Sequence, residues 1–196
     1  MFRRLRPTLL LLPLLALAAC AAREERFDPP ALTFDDRPTL DFVVGLVEIE
    51  QRYQPAGGTP FIDHLMPYSP ADGLEALLEA KIQAIGDVGV IRAVIEDASM
   101  KEEPLETTGG LTGVFKKEPE FRLQGRVEVS LERLDEQGRV ATKVGTAASR
   151  TTTIPEDVGF VERQRLAYEL VKKLIDDLDR GLEENARKSF GAWLAR

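Results

Sequence analysis

The single histidine of the chain is the first candidate for chemistry. His64 follows Asp63 in the segment Asp63-His64-Leu65-Met66-Pro67, where a carboxylate could orient an imidazole base. Residues adjacent in sequence rarely face each other with that geometry, and no Ser or Cys nucleophile motif accompanies the pair. We therefore predict no catalytic residue, and we interpret His64 as the partner of a hydrogen bond within a loop.

Metal and cofactor sites would need residue groupings that this chain lacks. It has one His, one Cys and no calcium-loop spacing among its acidic residues. The segment Gly109-Gly110-Leu111-Thr112-Gly113 lacks the Gly-Lys-Ser/Thr ending of a phosphate-binding loop. We predict neither a metal nor a cofactor, and we interpret these glycines as loop flexibility.

Cys20, the only cysteine, closes a segment with the composition of a secretory leader. Three arginines within the first six residues form a basic head, and the stretch from Thr8 to Ala19 carries no charge. This apolar stretch of about 12 residues is shorter than the roughly 20 that a membrane-spanning helix needs. The pattern predicts a signal peptide over residues 1–19.

The residues Leu17-Ala18-Ala19-Cys20 resemble the lipobox of bacterial lipoproteins. The resemblance implies cleavage before Cys20, lipidation of its thiol and acylation of the new amino terminus. Acyl chains would anchor the protein, because each buried methylene contributes about 0.8 kcal/mol and two chains give stable attachment. In the sorting pattern of enteric lipoproteins, Ala21 in place of Asp favours the outer membrane, facing the periplasm. The alternative is an ordinary signal peptide with an incidental cysteine.

The charge balance limits the possible partners. Removal of the leader takes away three arginines and no acid, so the remainder has 23 basic and 33 acidic residues and a net charge of about −10. A nucleic-acid-binding protein would need a basic face, and none is evident in the sequence. We therefore expect no nucleic-acid partner.

The first half of the chain predicts a tether followed by a strand, a helix and a strand. Residues 20–40 are charged and contain three prolines, which favours an extended, lipidated tether. A first strand is predicted near 42–52, and Ser69-Pro70 is a favourable helix start. We expect that helix to end at Gly86 or Gly89, before a buried strand over 88–99.

The second half predicts a hairpin and a long helix. Residues 121–133 alternate strictly, with Val127 and Val129 on the core face and Glu128 and Ser130 towards water. A turn at 135–138 leads to a partner strand over 140–153, and an amphipathic helix is predicted from about 158 to 194. The single domain over 41–196 is therefore an α+β two-layer sandwich in the order β-α-β-β-β-α, with a mainly antiparallel sheet of about four strands.

This order of elements resembles small periplasmic lipoproteins that assist envelope transport, such as the lipopolysaccharide-assembly lipoprotein and the auxiliary lipoproteins of lipid-transporting ABC systems. The resemblance implies a non-catalytic adaptor or accessory in envelope assembly or transport, with an envelope protein as partner. The alternative is a periplasmic carrier of a lipid or another hydrophobic ligand. An accessory should have a filled core and an exposed apolar patch, whereas a carrier should have an apolar cavity between helices and sheet.

Apolar residues in two places are candidate partner contacts. Residues 101–119 form a predicted loop rich in glycine, and a stable core cannot readily shelter all of its apolar side chains. The end of the last helix is the second place, although core packing also accounts for its apolar stripe. The candidate contact residues are Leu111, Val114, Phe115, Phe190 and Trp193.

Overall fold

A computed structural model describes residues 27–105, 119–155 and 157–195. Two helices pack on one face of a four-stranded sheet, and a two-stranded sheet lies beside it. In chain order the elements are β1 (Leu40–Phe42), β2 (Leu46–Gln51), a 3-10 turn (Asp63–Leu65), α1 (Pro70–Lys81), β3 (Ile82–Ala84), β4 (Val90–Pro104), β5 (Pro119–Leu134), β6 (Val140–Pro155) and α2 (Phe160–Phe190).

The sheet confirms the predicted α+β sandwich and adds a parallel pairing. Its strand order is β2-β4-β5-β6, with β2 parallel to β4 and the other two pairings antiparallel. In the small sheet, β1 runs parallel to β3. The core lies between the large sheet and the two helices, where buried residues of β4 and β5 meet those of α1 and α2.

The alternation along β5 places the predicted residues in the core. Val127 and Val129 are fully buried, as predicted. The prediction that Ser130 faces water is wrong, because Ser130 and its neighbour Glu132 are also buried. Charged side chains of the neighbouring segments cover this face: Glu132 lies 3.1 Å from the Lys143 ammonium, with Arg52, just after β2, at 3.7 Å and Arg92 of β4 at 3.9 Å.

The predicted first strand is divided in two by a close backbone approach. A Cβ at Gly45 would lie 2.6 Å from the carbonyl oxygen of Asp87, so only glycine fits between the two segments. The chain therefore bends between β1 and β2, and each half pairs with a different strand. The sequence shows the strong β-propensity of this segment, but it does not show the close approach of Gly45 to Asp87 that interrupts the strand.

Helix α1 begins where predicted and ends earlier. Ser69 and Asp72 form a reciprocal capping box, and Pro70 occupies the first turn. The predicted end at Gly86 or Gly89 is wrong, because the helix stops at Lys81. The next three residues leave the helix to pair with β1, so tertiary strand pairing overrides local helical periodicity.

Helix α2 has 31 residues, about 46 Å at a rise of about 1.5 Å per residue, and is slightly shorter than predicted. Its apolar stripe packs into the core as far as Phe190, which is fully buried and meets the ring of Phe42 edge-on. Phe190 is therefore a core residue and not an exposed partner contact. Trp193 is half-buried and stacks against the guanidinium of Arg133.

The described part of the predicted tether packs along α2. Phe34 is buried, and Arg37 contacts Asp176 at 2.6 Å and Asp179 at 2.8 Å. Leu40 is also buried and already belongs to β1. The packed part of the chain thus begins well before residue 41.

The predicted loop over residues 101–119 is shorter than expected. β4 continues to Pro104 and pairs with β5 up to Phe121, so the ends of this interval belong to the sheet. Leu111, Val114 and Phe115 lie outside the described residues, as does Cys20.

Candidate ligand pocket

A pocket of about 690 Å³ lies at the end of the molecule where α2 begins. Its walls come from the chain entering the domain, the proline-rich loop before α1, the end of β4 and the first turns of α2. Most of the lining is apolar or aromatic. The lining residues are Pro29, Ile62, Leu65, Met66, Pro67, Tyr68, Glu102, Val158, Phe160, Arg163, Gln164, Ala167 and Tyr168.

The proline-rich loop is held over this pocket by a buried carboxylate. Asp63 accepts a hydrogen bond from the Tyr53 hydroxyl at 3.0 Å and a longer one from the Met100 amide at 3.5 Å. Burial, followed by this contact with Asp63, raises the pKa of Tyr53, so its hydroxyl remains a donor. With Asp63 fixed, Leu65 projects at the surface with 70% of its area exposed.

Two tyrosines form the aromatic wall and join it to the entering chain. The rings of Tyr68 and Tyr168 meet edge-on with centroids 5.8 Å apart, and Phe27 packs edge-on against Tyr168 at the same distance. The Tyr168 hydroxyl donates to the Pro30 carbonyl at 2.8 Å, and the Tyr68 hydroxyl accepts from the Leu32 amide at 3.3 Å. Burial raises the pKa of both tyrosines, so the wall carries no charge at neutral pH.

Among the described residues of the lining, the charged groups are one arginine and one glutamate. Arg163 on α2 donates to a carboxylate oxygen of Glu102 on β4 at 3.3 Å. The Arg163 guanidinium also lies over the ring of Phe121, 4.4 Å from its centroid. The pocket is therefore an apolar cleft with one positive and one negative group in its wall.

His64 lies in the loop at the exposed centre of the 3-10 turn, but its side chain makes no hydrogen bond to a described residue, so the loop hydrogen bond predicted for it is not found there. The oxygens of its neighbour Asp63 are directed at Tyr53 and Met100. Asp63 therefore anchors the loop to the sheet. Within the described ranges, no three His, Cys, Asp or Glu side chains are grouped closely enough to hold a metal ion.

A row of four apolar residues, half exposed at its two edge strands and buried at Leu134, lies at the opposite end of the sheet. Leu46, Val90, Leu134 and Val140 are in register across the four strands. Leu46 and Val140 are half exposed at the two edges. The half-exposed ends of this row are the kind of apolar surface expected of an accessory, and the pocket is the kind of apolar cleft expected of a carrier.

Sequence reasoning missed the pocket because its residues are distant along the chain. Pro29, Tyr68, Glu102 and Tyr168 come from four separate segments, and none belongs to a motif. The one local signal was the apolar run Leu65-Met66-Pro67-Tyr68 inside a proline-rich loop, where no regular element would bury it. The predicted contacts Leu111, Val114 and Phe115 cannot be related to the pocket, because they lie outside the described residues.

The chain matches no protein-family model, and no curated protein matches it. Among solved structures it is similar to a minor lipoprotein from Acinetobacter baumannii, with 19% identity, a TM-score of 0.41, and coverage of 79% of this chain and 98% of that one. A protein described as a lipoprotein from Caulobacter crescentus CB15 shows 17% identity, a TM-score of 0.28, and coverage of 71% and 83%.

A PelC dodecamer from Paraburkholderia phytofirmans shows 20% identity, a TM-score of 0.21, and coverage of 79% and 95%. Similarities with TM-scores and identities this low do not indicate a function. Across the described part of the chain, no helix is both long and apolar enough to span a membrane.

Proposed function

We propose that this protein is a lipid-anchored accessory of the bacterial envelope that acts by binding, and that its pocket holds the acyl chain of a membrane lipid. The pocket is the observation that carries the proposal. Its volume of about 690 Å³ lies within the range of about 300–1,000 Å³ typical of small-molecule sites, and its lining is largely apolar and aromatic.

The position of the pocket relative to the predicted anchor supports a lipid as the ligand. Phe27, the first described residue, packs against Tyr168 in the pocket wall, and Pro29 lines the pocket directly. The seven residues from Cys20 to Phe27 span at most about 25 Å when fully extended. An anchor at Cys20 therefore keeps the pocket close to the membrane surface, where acyl chains are abundant.

The accessory role rests on the leader and on the absence of catalytic motifs from the sequence. Anchoring confines the protein to a surface where ligands and partners reach a high effective concentration. The outer membrane, facing the periplasm, is the proposed location because Ala21 follows Cys20. Binding of a lipid by such a protein is consistent with a role in envelope assembly or transport, in contact with an envelope protein.

Lipid that co-purifies with the protein tests this proposal. Full-length protein purified from membranes in a mild detergent should carry a non-covalently bound phospholipid in native mass spectrometry. Leu65→Asp should lower the lipid-bound fraction at least threefold, because it places a charge at the pocket mouth. Val88→Asp is the matched control, since Val88 is 79% exposed and does not line the pocket. Equal lipid occupancy in the two variants would overturn the proposal.

A further inference from the structure

The chain enters the domain through a segment that forms one wall of the pocket. Residues 27–33, here called the strap, contain no helix or strand, and Pro29 within the strap lines the pocket. At the start of the strap, the ring of Phe27 packs edge-on against Tyr168 and lies 5.9 Å from the Arg165 guanidinium. The strap therefore forms the side of the cleft that leads back along the chain to the predicted anchor.

Side chains of the domain hold the strap in place. Among the residues that the structure describes, the strap makes no backbone–backbone hydrogen bond to the rest of the chain. Two tyrosine hydroxyls bind its backbone instead: Tyr168 donates to the Pro30 carbonyl at 2.8 Å, and Tyr68 accepts from the Leu32 amide at 3.3 Å. The strap can therefore leave the domain without breaking a helix or a strand, and segments held in this way open at low free-energy cost.

The hold on the entering chain tightens just after the strap. Phe34 is only 5% exposed, and Arg37 binds Asp176 at 2.6 Å and Asp179 at 2.8 Å. The residues of the strap that face the domain are half-buried, and the others are exposed. The entering chain is therefore fixed at Phe34 and Arg37, and the end of the strap that can swing away is the end joined to the predicted anchor.

The other walls of the pocket are held more firmly than the strap. Two of them belong to β4 and α2. The proline-rich loop is tied to β4 by backbone hydrogen bonds, from the Ile62 amide to Met100 at 2.9 Å and from the Glu102 amide to Pro60 at 2.8 Å. The strap is thus the wall that can move aside at least cost, and its departure would remove Pro29 from the lining. Motion of one such wall commonly sets the rate at which a ligand enters and leaves a closed site.

We infer that the strap is a movable wall that admits and releases the lipid, and that the hydroxyls of Tyr68 and Tyr168 hold this wall closed. The inference rests on the proposed function, because it describes how the acyl chain of that lipid reaches the pocket. Loss of either hydroxyl leaves the aromatic ring in the wall and raises the fraction of time for which the strap is open. The bound lipid then exchanges faster.

Lipid exchange and amide exchange test this inference together. Full-length protein in a mild detergent is loaded with phosphatidylethanolamine and mixed with an excess of the same lipid carrying deuterated acyl chains, and the replacement is followed by native mass spectrometry. Tyr168→Phe should speed the replacement at least threefold, an effect that fits the loss of one hydrogen bond. In a separate sample, hydrogen exchange at the Leu32 amide should also be at least threefold faster. That amide is held by Tyr68, so it responds to Tyr168→Phe only if the strap moves as one unit.

Thr33→Ala is the matched control, because Thr33 lies beside Leu32 in the strap and its side chain is exposed. Both of its exchange rates should equal those of the unmodified protein. Lipid replacement or Leu32 exchange that is no faster in Tyr168→Phe would overturn the movable wall while the pocket remains a lipid site. Absence of bound lipid from the unmodified protein would instead overturn the proposed function, and this inference with it.

Discussion

Replacement of Lys81 by Met should destabilise the protein strongly, because Lys81 joins the two helices through buried charges. Its side chain is only 1% exposed, and its ammonium lies 2.9 Å from Asp179 and 2.8 Å from Glu183. Methionine retains the apolar stem and removes only the cation. Asp179 and Glu183 keep Arg37 and Arg187 as partners, so we expect a loss of about 3 kcal/mol, the low end of the roughly 3–5 kcal/mol for a broken buried pair.

Urea unfolding followed by the fluorescence of Trp193, the only tryptophan, measures this loss in the full-length protein. Thermal unfolding should show the same loss. Each kcal/mol lowers the Tm of a chain of this size by about 2–4 °C, so the expected fall in Tm is about 6–12 °C. Lys173→Met is the control, since Lys173 lies on the exposed face of α2 and its loss should cost less than about 0.5 kcal/mol. A loss below about 1 kcal/mol for Lys81→Met would refute the argument that this buried cation holds the helices together.

Three further predictions concern the anchor, the core and pH. Cys20→Ala should abolish fatty-acid labelling and leave the precursor uncleaved on a gel, and labelling retained in that variant would refute lipidation. Val129→Asp should lower the free energy of unfolding by several kcal/mol, since it buries an unpaired charge, and a change below about 0.5 kcal/mol in urea unfolding would contradict its place in the core. The hydrogen bond from Lys81 lowers the pKa of Glu183 below its ordinary 4.5, so Glu183 stabilises the fold above about pH 4.5 and loses this effect as pH falls through its folded pKa. Stability measured from pH 6 to pH 3 should therefore fall less in Lys81→Met than in the unmodified protein, and equal slopes would contradict the pairing.

The sequence predicted the architecture where local pattern and tertiary packing agree. The alternation in β5 identified Val127 and Val129 as core residues, and the capping residues Ser69 and Pro70 marked the start of α1. These signals are local, because a strand face and a helix cap depend on residues only a few positions apart.

The errors arose where distant segments meet. The end of α1 depends on the pairing of Ile82 with Leu40, which no local pattern encodes. Ser130 is buried because ion-paired side chains cover this polar face: its hydroxyl donates to Glu96, and cations of β4 and β6, together with Arg52 just after β2, surround the nearby Glu132. Short-range patterns report which side of a strand is polar, but they do not report how much of that side the neighbouring side chains cover.

The candidate pocket lay beyond sequence reasoning for the same reason. Its aromatic wall combines Phe27, Tyr68 and Tyr168, which become neighbours only after the entering chain folds along α2. Its ion pair joins Glu102 and Arg163, which are 61 residues apart. The leader predicted that the protein is anchored at a membrane. The cleft, whose size suits an acyl chain, forms only when the chain is folded.

The binding of an acyl chain in the pocket is the central claim, and its most direct test is a map of contacts in living cells. Cells that produce the full-length protein are fed a photoreactive fatty acid and irradiated, and the crosslinked peptides are identified by mass spectrometry. The account predicts crosslinks on the peptides that contain Leu65, Met66 and Tyr168, with a marked loss in Leu65→Asp but not in Val88→Asp. Crosslinks confined to other parts of the chain, such as the apolar row from Leu46 to Val140, would contradict it.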